Sequence, residues 1–248
     1  MKTYLVAGRL DGQFDALEHL QSLADEHQPE GLLYAGNILG EAPGSHAERR
    51  RSWEAFFDAL AKLGGFSAVI PGPADAPLRD FLQVAKNAEV AHANVAVVHA
   101  AIFEKRGIAI CGLGGELTDA VDETKDRVAY ARATAEYYLR GLWRSKQSRK
   151  VLLLSVPPNG RLGGERGNPI CGEIIDSYHP QLCVVAGATD CRGVEQIANT
   201  TVINPGRLAD RSVAFYNAGR SKNRQVEFLE ASPVFAGRSL SALPFLRS

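Results

Sequence analysis

Six polar or charged residues stand directly after short apolar runs, at places where the strands of an α/β protein would end. Their side chains can hold ions: Arg9, Asp11, Asn37, Asp75, Ser155 and Asp190. The aspartates and the asparagine offer oxygen atoms of the kind that Mg²⁺ and Ca²⁺ bind. The arginine supplies a permanent positive charge, which opposes a cation. Turn formation is the plainer alternative, because Asx side chains hydrogen-bond to nearby backbone groups.

The elements that must position these residues follow from the hydrophobic pattern. Apolar runs such as "YLVAG", "GLLYAG", "FSAVIPG", "KVLLLS" and "QLCVVAG" are typical of buried strands. Between them, segments 14–26, 46–65 and 77–88 carry apolar residues at helical spacing, and the segment 94–115 predicts two strands joined by a turn at 105–107. Alternation of this kind predicts a layered α/β fold. Ligands bind outside the carboxyl ends of strands in such folds, so one crevice is expected.

Composition limits the classes of protein to consider. The chain has 248 residues, with 28 basic and 28 acidic side chains, so its net charge offers no general attraction to nucleic acid or to a membrane surface. No apolar run reaches the ~20 residues that a membrane span needs. The start "MKTYLVAG" lacks the pattern of a signal peptide, and the four cysteines lack zinc-site spacing. We expect a cytoplasmic protein with free thiols.

The loops, taken in order, resemble the motifs of the calcineurin-like metallophosphoesterases. That family runs Asp-x-His-Gly, Gly-Asp, Gly-Asn-His-Asp, a lone histidine often followed by prolines, Gly-His-x-His, and a late Asn-Pro-Gly. The matching segments here are "DGQFDAL", "LLYAGN", "VIPGPADAP", "VLLLSVPP", "AGATD" and "INPG". The frame spans residues 3–217. The resemblance implies one domain over residues 1–248, built as a four-layer α/β/β/α sandwich with two mixed sheets between helices.

The metal-ligand positions of the family hold other residues in this chain. The replacements are Arg9 for the first aspartate, Asp11 for the first histidine, Asn37 for the bridging aspartate, Pro73 and Ala74 for the Asn-His pair, Ser155 for the lone histidine, and Ala188 and Asp190 for the last two histidines. Asp75 matches the end of its motif. The resemblance therefore implies a degenerate cleft rather than the family's metal site.

These replacements remove the inherited chemistry. In the family, two metal ions hold a phosphate and convert a bridging water into a hydroxide nucleophile. Transition metals of that kind prefer imidazole together with carboxylate, and the motif loops contain no histidine. Ala74 also lacks the imidazole that would protonate a leaving oxygen. We predict a catalytically inactive pseudoenzyme with a binding or assembly role and no cofactor.

Several alternatives stay open at this point. A working hydrolase could use a rebuilt, oxygen-rich site for Mg²⁺ or Mn²⁺. The expected partner is a phosphate-bearing small molecule or a protein held by the same loops. A structural subunit that forms a homo-oligomer is a third alternative, and the apolar tail "LSALPFLRS" at 240–248 could dock on a neighbouring copy. The segment 159–172 is interpreted as a mobile flap that carries Arg161 and Arg166, or as a surface loop.

Arg9 leads to the first prediction. A cleft that gathers Asp11, Asp75 and Asp190 needs positive charge, so we expect Arg9 to pair with Asp11 or Asp190 and to stand in for the absent metals. Arg9→Ala should then lower the melting temperature, because it leaves a partly buried carboxylate without its partner. Thermal unfolding measures the effect, and an unchanged melting temperature would contradict the pairing.

Overall fold

The computed structural model describes residues 2–40, 44–105, 107–119 and 127–229. The apolar tail at 240–248 lies outside the described residues, so its docking is still an expectation. No helix within the described ranges combines the length and the apolar character that a membrane crossing requires.

The first sheet has six strands in the spatial order β14-β13-β1-β2-β3-β4. Its strands are β1 (Thr3–Gly8), β2 (Gly31–Ala35), β3 (Phe66–Ile70), β4 (Val95–Val97), β13 (Val213–Asn217) and β14 (Val226–Leu229). β1 to β4 run parallel, whereas β13 and β14 are antiparallel to their neighbours. The carboxyl ends of four strands therefore lie along one edge.

The second sheet has six strands in the order β11-β12-β10-β9-β6-β5. Its strands are β5 (Ile102–Lys105), β6 (Ile108–Leu113), β9 (Arg149–Leu154), β10 (Leu182–Val185), β11 (Gly193–Ile197) and β12 (Thr200–Asn204). β6, β9, β10 and β12 run parallel, and β5 and β11 form antiparallel edges. A short parallel pair, β7 (Glu116–Thr118) and β8 (Ala129–Ala131), completes the strands.

Helices cover the outer faces of both sheets. They are α1 (Ala16–His27), α2 (His46–Ala61), α3 (Leu78–Ala91), α4 (Arg132–Arg144) and α5 (Pro169–Tyr178). α2 and α3 lie against the first sheet beside β4, while α4 packs on β6 and α5 beside β11 in the second sheet. Two mixed sheets flanked by helices are the predicted α/β/β/α arrangement, which is confirmed.

Successive side chains of a central strand pack into two different hydrophobic cores, one between the sheets and one beneath the helices. In β2, Leu33 and Ala35 join the core between the sheets, together with Ile110 and Val151 of the opposite sheet. Tyr34, the residue between the first two, joins the core beneath the helices instead. Both faces of central strands such as β2 and β6 are thus buried, and the sequences of such strands are continuous apolar runs.

The segment 94–115 differs from its predicted form. The sequence indicates two strands with a turn, but the structure has three strands that belong to two sheets. β4 pairs in parallel with β3, and the chain then crosses to the other sheet, where β5 and β6 form the antiparallel pair. Ala100, with φ of 52°, lies at this crossing. The change of sheet was hidden because β4 and β6 are similarly apolar although they belong to different sheets.

A buried carboxylate joins the loop after β2 to the loop after β3. Asp75 is fully buried and accepts hydrogen bonds from the backbone N–H groups of Ile38 and Leu39, both at 3.0 Å, and of Gly72 at 2.8 Å. The indole N–H of Trp53 in α2 donates a fourth bond at 3.1 Å. Asp75 therefore fixes two loops and a helix, and its carboxylate is closed to any ligand from solvent.

Removal of this acceptor gives the second prediction. Asp75→Ala leaves four buried N–H groups without a partner, and we expect the free energy of unfolding to fall by about 2–5 kcal/mol. Urea unfolding at pH 7 measures the loss. Asp25→Ala, which removes an exposed carboxylate bonded to Gln21, is the matched control and should change stability by less than about 0.5 kcal/mol. Equal effects of the two substitutions would refute the anchoring role.

The pH dependence of this loss has a defined sign. Burial raises the pKa of Asp75 from 3.8 to about 6, against the opposing effect of its four N–H donors. Between pH 4 and 6 the folded protein then binds more protons at Asp75 than the unfolded chain. The contribution of Asp75 to stability should fall as the pH rises through this window, so the difference between the wild type and Asp75→Ala should be larger at pH 4 than at pH 7.

Candidate functional site

The carboxyl ends of the two sheets meet at a narrow seam. Gly36 follows β2 and Ala186 follows β10, and a Cβ atom placed on Gly36 would lie 2.6 Å from the Ala186 Cβ and 3.0 Å from the Arg9 Cγ. Gly36 also has φ of 104°, which disfavours any other residue. The aliphatic part of the Arg9 side chain therefore lies beside the contact between the loops that follow β2 and β10. This seam defines the candidate site.

Arg9 forms the ion pair that the sequence analysis proposes for it. Its Nη2 lies 3.2 Å from the Oδ2 of Asp11, and the Arg9 and Asp11 side chains are 23% and 11% exposed. Both residues have positive φ, 55° and 47°, in the tight turn after β1. The turn is held to the next loop because the N–H of Asp11 donates to the backbone oxygen of Asn37 at 3.2 Å. The pairing with Asp11 is confirmed.

A second guanidinium reaches the same carboxylate oxygen. Arg207, in the loop after β12, donates its Nε to the Oδ2 of Asp11 at 2.9 Å and places its Nη1 3.4 Å from Asp210. Thr189 supports this arrangement from the loop after β10, because its hydroxyl donates to Asp210 at 2.6 Å and accepts the backbone N–H of Arg207 at 3.0 Å. Two arginines from different sheets thus share one acceptor.

Arg207 was missed by the sequence analysis although a signal was present. It directly follows "INPG", the last of the motifs that carry the family resemblance. Arg207, like Arg9, is a charged residue at the carboxyl end of a core strand, and this position makes it a candidate site residue by the same argument. This second arginine changes the expectation for Arg9→Ala, since Arg207 would still neutralise Asp11 in that variant. The larger loss of stability is expected when both guanidiniums are removed.

One oxygen of this cluster has no partner among the described residues. The Oδ1 of Asp11 is buried and accepts no hydrogen bond there. A buried acceptor of this kind costs free energy unless water or a ligand group supplies a donor. The seam therefore presents one unsatisfied acceptor beside two guanidiniums that have N–H groups to spare, because each guanidinium carries five.

The other candidate residues serve the loops rather than an open cleft. The Oδ1 of Asn37 accepts the backbone N–H of Ala74 at 3.0 Å, and the hydroxyl of Ser155 donates to the Gly115 oxygen at 2.6 Å. Asp75 is enclosed as described above. Asp190 is exposed on a 3₁₀ turn and makes no ion pair within the described part of the chain. The structure thus brings Arg9 and Asp11 together, with Asn37 beside them.

The buried histidine of the crossing segment also has a structural role. His99 accepts the Gly114 N–H on Nδ1 at 2.9 Å, and its Nε2 lies 3.0 Å from the Tyr130 hydroxyl. Burial lowers the pKa of His99 to about 4, so the ring is neutral at physiological pH. His99 is therefore a packed, hydrogen-bonded side chain.

Residues 159–172 contact the second sheet through Leu162. Leu162 is fully buried, and its backbone oxygen accepts the side-chain amide of Asn204, the first residue of the Asn-Pro-Gly motif, at 3.0 Å. Regular structure returns at Pro169, where α5 begins. Arg161 and Arg166 are exposed on this loop. The helix α5 spans the segment "PICGEIIDSY", whose apolar residues indicate a helix.

The donors at the seam do not suit the family's metal pair. Within the described residues, no group of three or more His, Cys, Asp or Glu side chains is placed to hold a metal ion. Asp11 already accepts two guanidiniums, and Asp75 is saturated by N–H donors. Permanent positive charge next to the remaining oxygens opposes a dication, so no chemical step through a metal is derived for these residues.

Comparison with known proteins agrees with the architecture. The TT1561 protein of Thermus thermophilus is 27% identical, has a TM-score of 0.81, and the alignment covers 92% of this chain and 97% of that chain. A dimetal phosphatase from Danio rerio is 10% identical with a TM-score of 0.63, over 87% of this chain and 92% of that chain.

A 5′-nucleotidase from Candida albicans SC5314 is 11% identical with a TM-score of 0.55, over 91% of this chain and 50% of that chain. At such identities the last two structures share the fold alone. A search of curated proteins gave no significant match. The sequence profile described as "Metallophosphoesterase, calcineurin superfamily" matches residues 1–229. The chain therefore belongs to the calcineurin superfamily of metallophosphoesterases.

Proposed function

We propose that this chain is a catalytically inactive member of its family and that its seam binds an anion. The observation that carries the proposal is the shared acceptor: Arg9 and Arg207 both contact the Oδ2 of Asp11, at 3.2 and 2.9 Å. Asp11 occupies the position of a family metal ligand, by the resemblance of the motifs. Positive charge from side chains replaces positive charge from metal ions there.

The residue at the family's catalytic histidine position cannot donate a proton, which supports the inactive state. The residue at the family's catalytic histidine position is Ala74, whose backbone N–H is bound to Asn37. Hydrolysis of a phosphate ester needs a nucleophilic water and a means of stabilising the leaving oxygen. Neither Ala74 nor the neutral amide of Asn37 can act as a general acid or base at neutral pH.

A phosphate-bearing small molecule fits the remaining chemistry best. The planar fork of a guanidinium matches two oxygens of a phosphate and stays charged at every accessible pH. The Arg9 and Arg207 side chains are 23% and 34% exposed, so a ligand can reach both. Their charges are balanced by Asp11 and Asp210 at present, which predicts weak binding for inorganic phosphate and tighter binding for a ligand with further contacts.

The third prediction tests anion binding. Inorganic phosphate at about 10 mM should raise the melting temperature above that in chloride of equal ionic strength, because a ligand of the folded state stabilises it by mass action. Arg9→Lys keeps the positive charge but cannot donate two parallel hydrogen bonds to a phosphate. It should reduce the increase in melting temperature by at least about half. Arg220→Ala, which removes an exposed arginine paired with Glu227, is the control and should leave the shift unchanged. Equal shifts in all three proteins would count against the seam.

The fourth prediction separates the proposal from a working hydrolase. Titration calorimetry with Mn²⁺ should give no saturable binding up to about 1 mM, because two guanidiniums already neutralise Asp11. Hydrolysis of a generic phosphodiester with added Mn²⁺ or Mg²⁺ should not exceed the buffer rate. Tight binding of one or two ions, with activity that Asp11→Ala abolishes, would establish the oxygen-rich metal site instead.

A further inference from the structure

A second surface, distant in sequence from the seam residues, lies between β5 and α4. A cavity of about 390 Å³ opens there. Three large apolar side chains that line it are exposed: Ile102 by 38%, Tyr137 by 58% and Tyr138 by 38%. A cluster of exposed large apolar side chains is uncommon on a protein surface and indicates contact with another molecule. We call this surface the α4–β5 pocket.

The interior of the α4–β5 pocket is small and apolar. Ala100, Cys111 and Gly141 line it behind the tyrosines. A Cβ on Gly141 would meet Ile102 at 3.6 Å, so glycine keeps this part of the pocket open. Burial raises the pKa of Cys111 to about 12, and its thiol is neutral. The pocket therefore suits an aliphatic side chain of modest size.

The rim of the pocket is basic. The guanidinium of Arg140 stacks on the Tyr137 ring, 3.4 Å from the centroid, and donates to the Tyr137 backbone oxygen at 2.8 Å. Arg144, one turn later, also lines the pocket. On the neighbouring strand, Glu104 accepts a hydrogen bond from Ser145, while Lys105 is exposed. An acidic group on the ligand would complement this charge.

β5 adds a set of backbone donors and acceptors. It is the edge strand of its sheet, and within the described residues it pairs with β6 alone. The outer N–H and C=O groups of an edge strand form a template for another extended chain. Peptides are recognised in this way when backbone pairing supplies affinity and a neighbouring pocket accepts alternate side chains.

We propose that the α4–β5 pocket binds an acidic segment of another protein in an extended conformation. The segment adds to the edge of β5, places an aliphatic side chain in the pocket, and sets a carboxylate against Arg140 or Arg144. A second copy of this chain fits less well, because a symmetric contact would bring the basic rims together. The inference does not depend on the anion-binding seam.

A designed peptide provides the probe. Alternate side chains of a strand point to opposite faces, so the sequence Thr-Leu-Thr-Glu-Thr-Leu-Thr-Glu places leucine and glutamate on one face. We expect this peptide, followed by fluorescence anisotropy with the full chain, to bind at least about tenfold more tightly than the version with lysine for glutamate. Alternate N–H groups of an extended peptide point to the same side. Methylation of the peptide nitrogens that face β5 should therefore weaken binding, whereas methylation of the other set should not.

Matched variants locate the site. Arg140→Glu with Arg144→Glu should raise the dissociation constant at least about tenfold, whereas Arg220→Glu with Arg224→Glu makes the same charge change at another surface and should not. Tyr137→Ala should weaken binding, and Trp143→Ala, which removes an exposed side chain of α4 that does not line the pocket, should leave it unchanged.

Three results would overturn the proposal. The first is equal or undetectable binding of the acidic and basic peptides at about 1 mM. The second is tighter binding of an eight-nucleotide single-stranded DNA, which would assign the tyrosines and arginines to base stacking and phosphate contact. The third is a dimer in light scattering that Tyr137→Glu dissociates, which would make a second copy the occupant.

Discussion

A single carboxylate oxygen connects the two sheets at their carboxyl ends. Arg9 reaches the Oδ2 of Asp11 from the loop after β1, and Arg207 reaches it from the loop after β12 in the opposite sheet. A backbone hydrogen bond joins the same two loops, from the Ala209 N–H to the Arg9 oxygen at 3.2 Å. A partly buried carboxylate without such partners would be strongly destabilising. The two guanidiniums and this hydrogen bond therefore hold the loops of the two sheets together at the seam.

Asp75 plays a related part on the side of the first sheet. Its four N–H donors come from two loops and one helix, so the loop that follows β3 cannot move without breaking bonds to the loop that follows β2. Asn37 adds a further bond between the same loops through Ala74. Side chains that could have held ligands are thus committed to the frame. Arg9 and Arg207, whose side chains are 23% and 34% exposed, remain accessible at the seam.

The sequence predicts the layers well because their signals are local. Strand runs, helical spacing and the order of the loops identify the two-sheet sandwich, and the pairing of Arg9 with Asp11 follows from charge and proximity in the turn. Arg207 and the saturation of Asp75 could not be found in the same way. Both depend on which loops lie close together in the folded protein, and the spacing of apolar residues along the sequence carries no information about that. The change of sheet after β4 was hidden for a similar reason, since both sheets require equally apolar strands.

The aliphatic part of the Arg9 side chain packs near Gly36 and Ala186. This packing restricts the substitutions by which the seam can evolve. A metal centre cannot evolve through Arg9→Asp as the first substitution. The new carboxylate would lie near Asp11, and only Arg207 would remain to neutralise both. The volume now filled by the aliphatic part of Arg9 would also be empty. Nor can a metal centre evolve through a first substitution at Gly36, where a side chain would collide with Ala186. Both of these first substitutions lower the stability of the fold before any bound ion can compensate for the loss, so the order of substitutions is constrained.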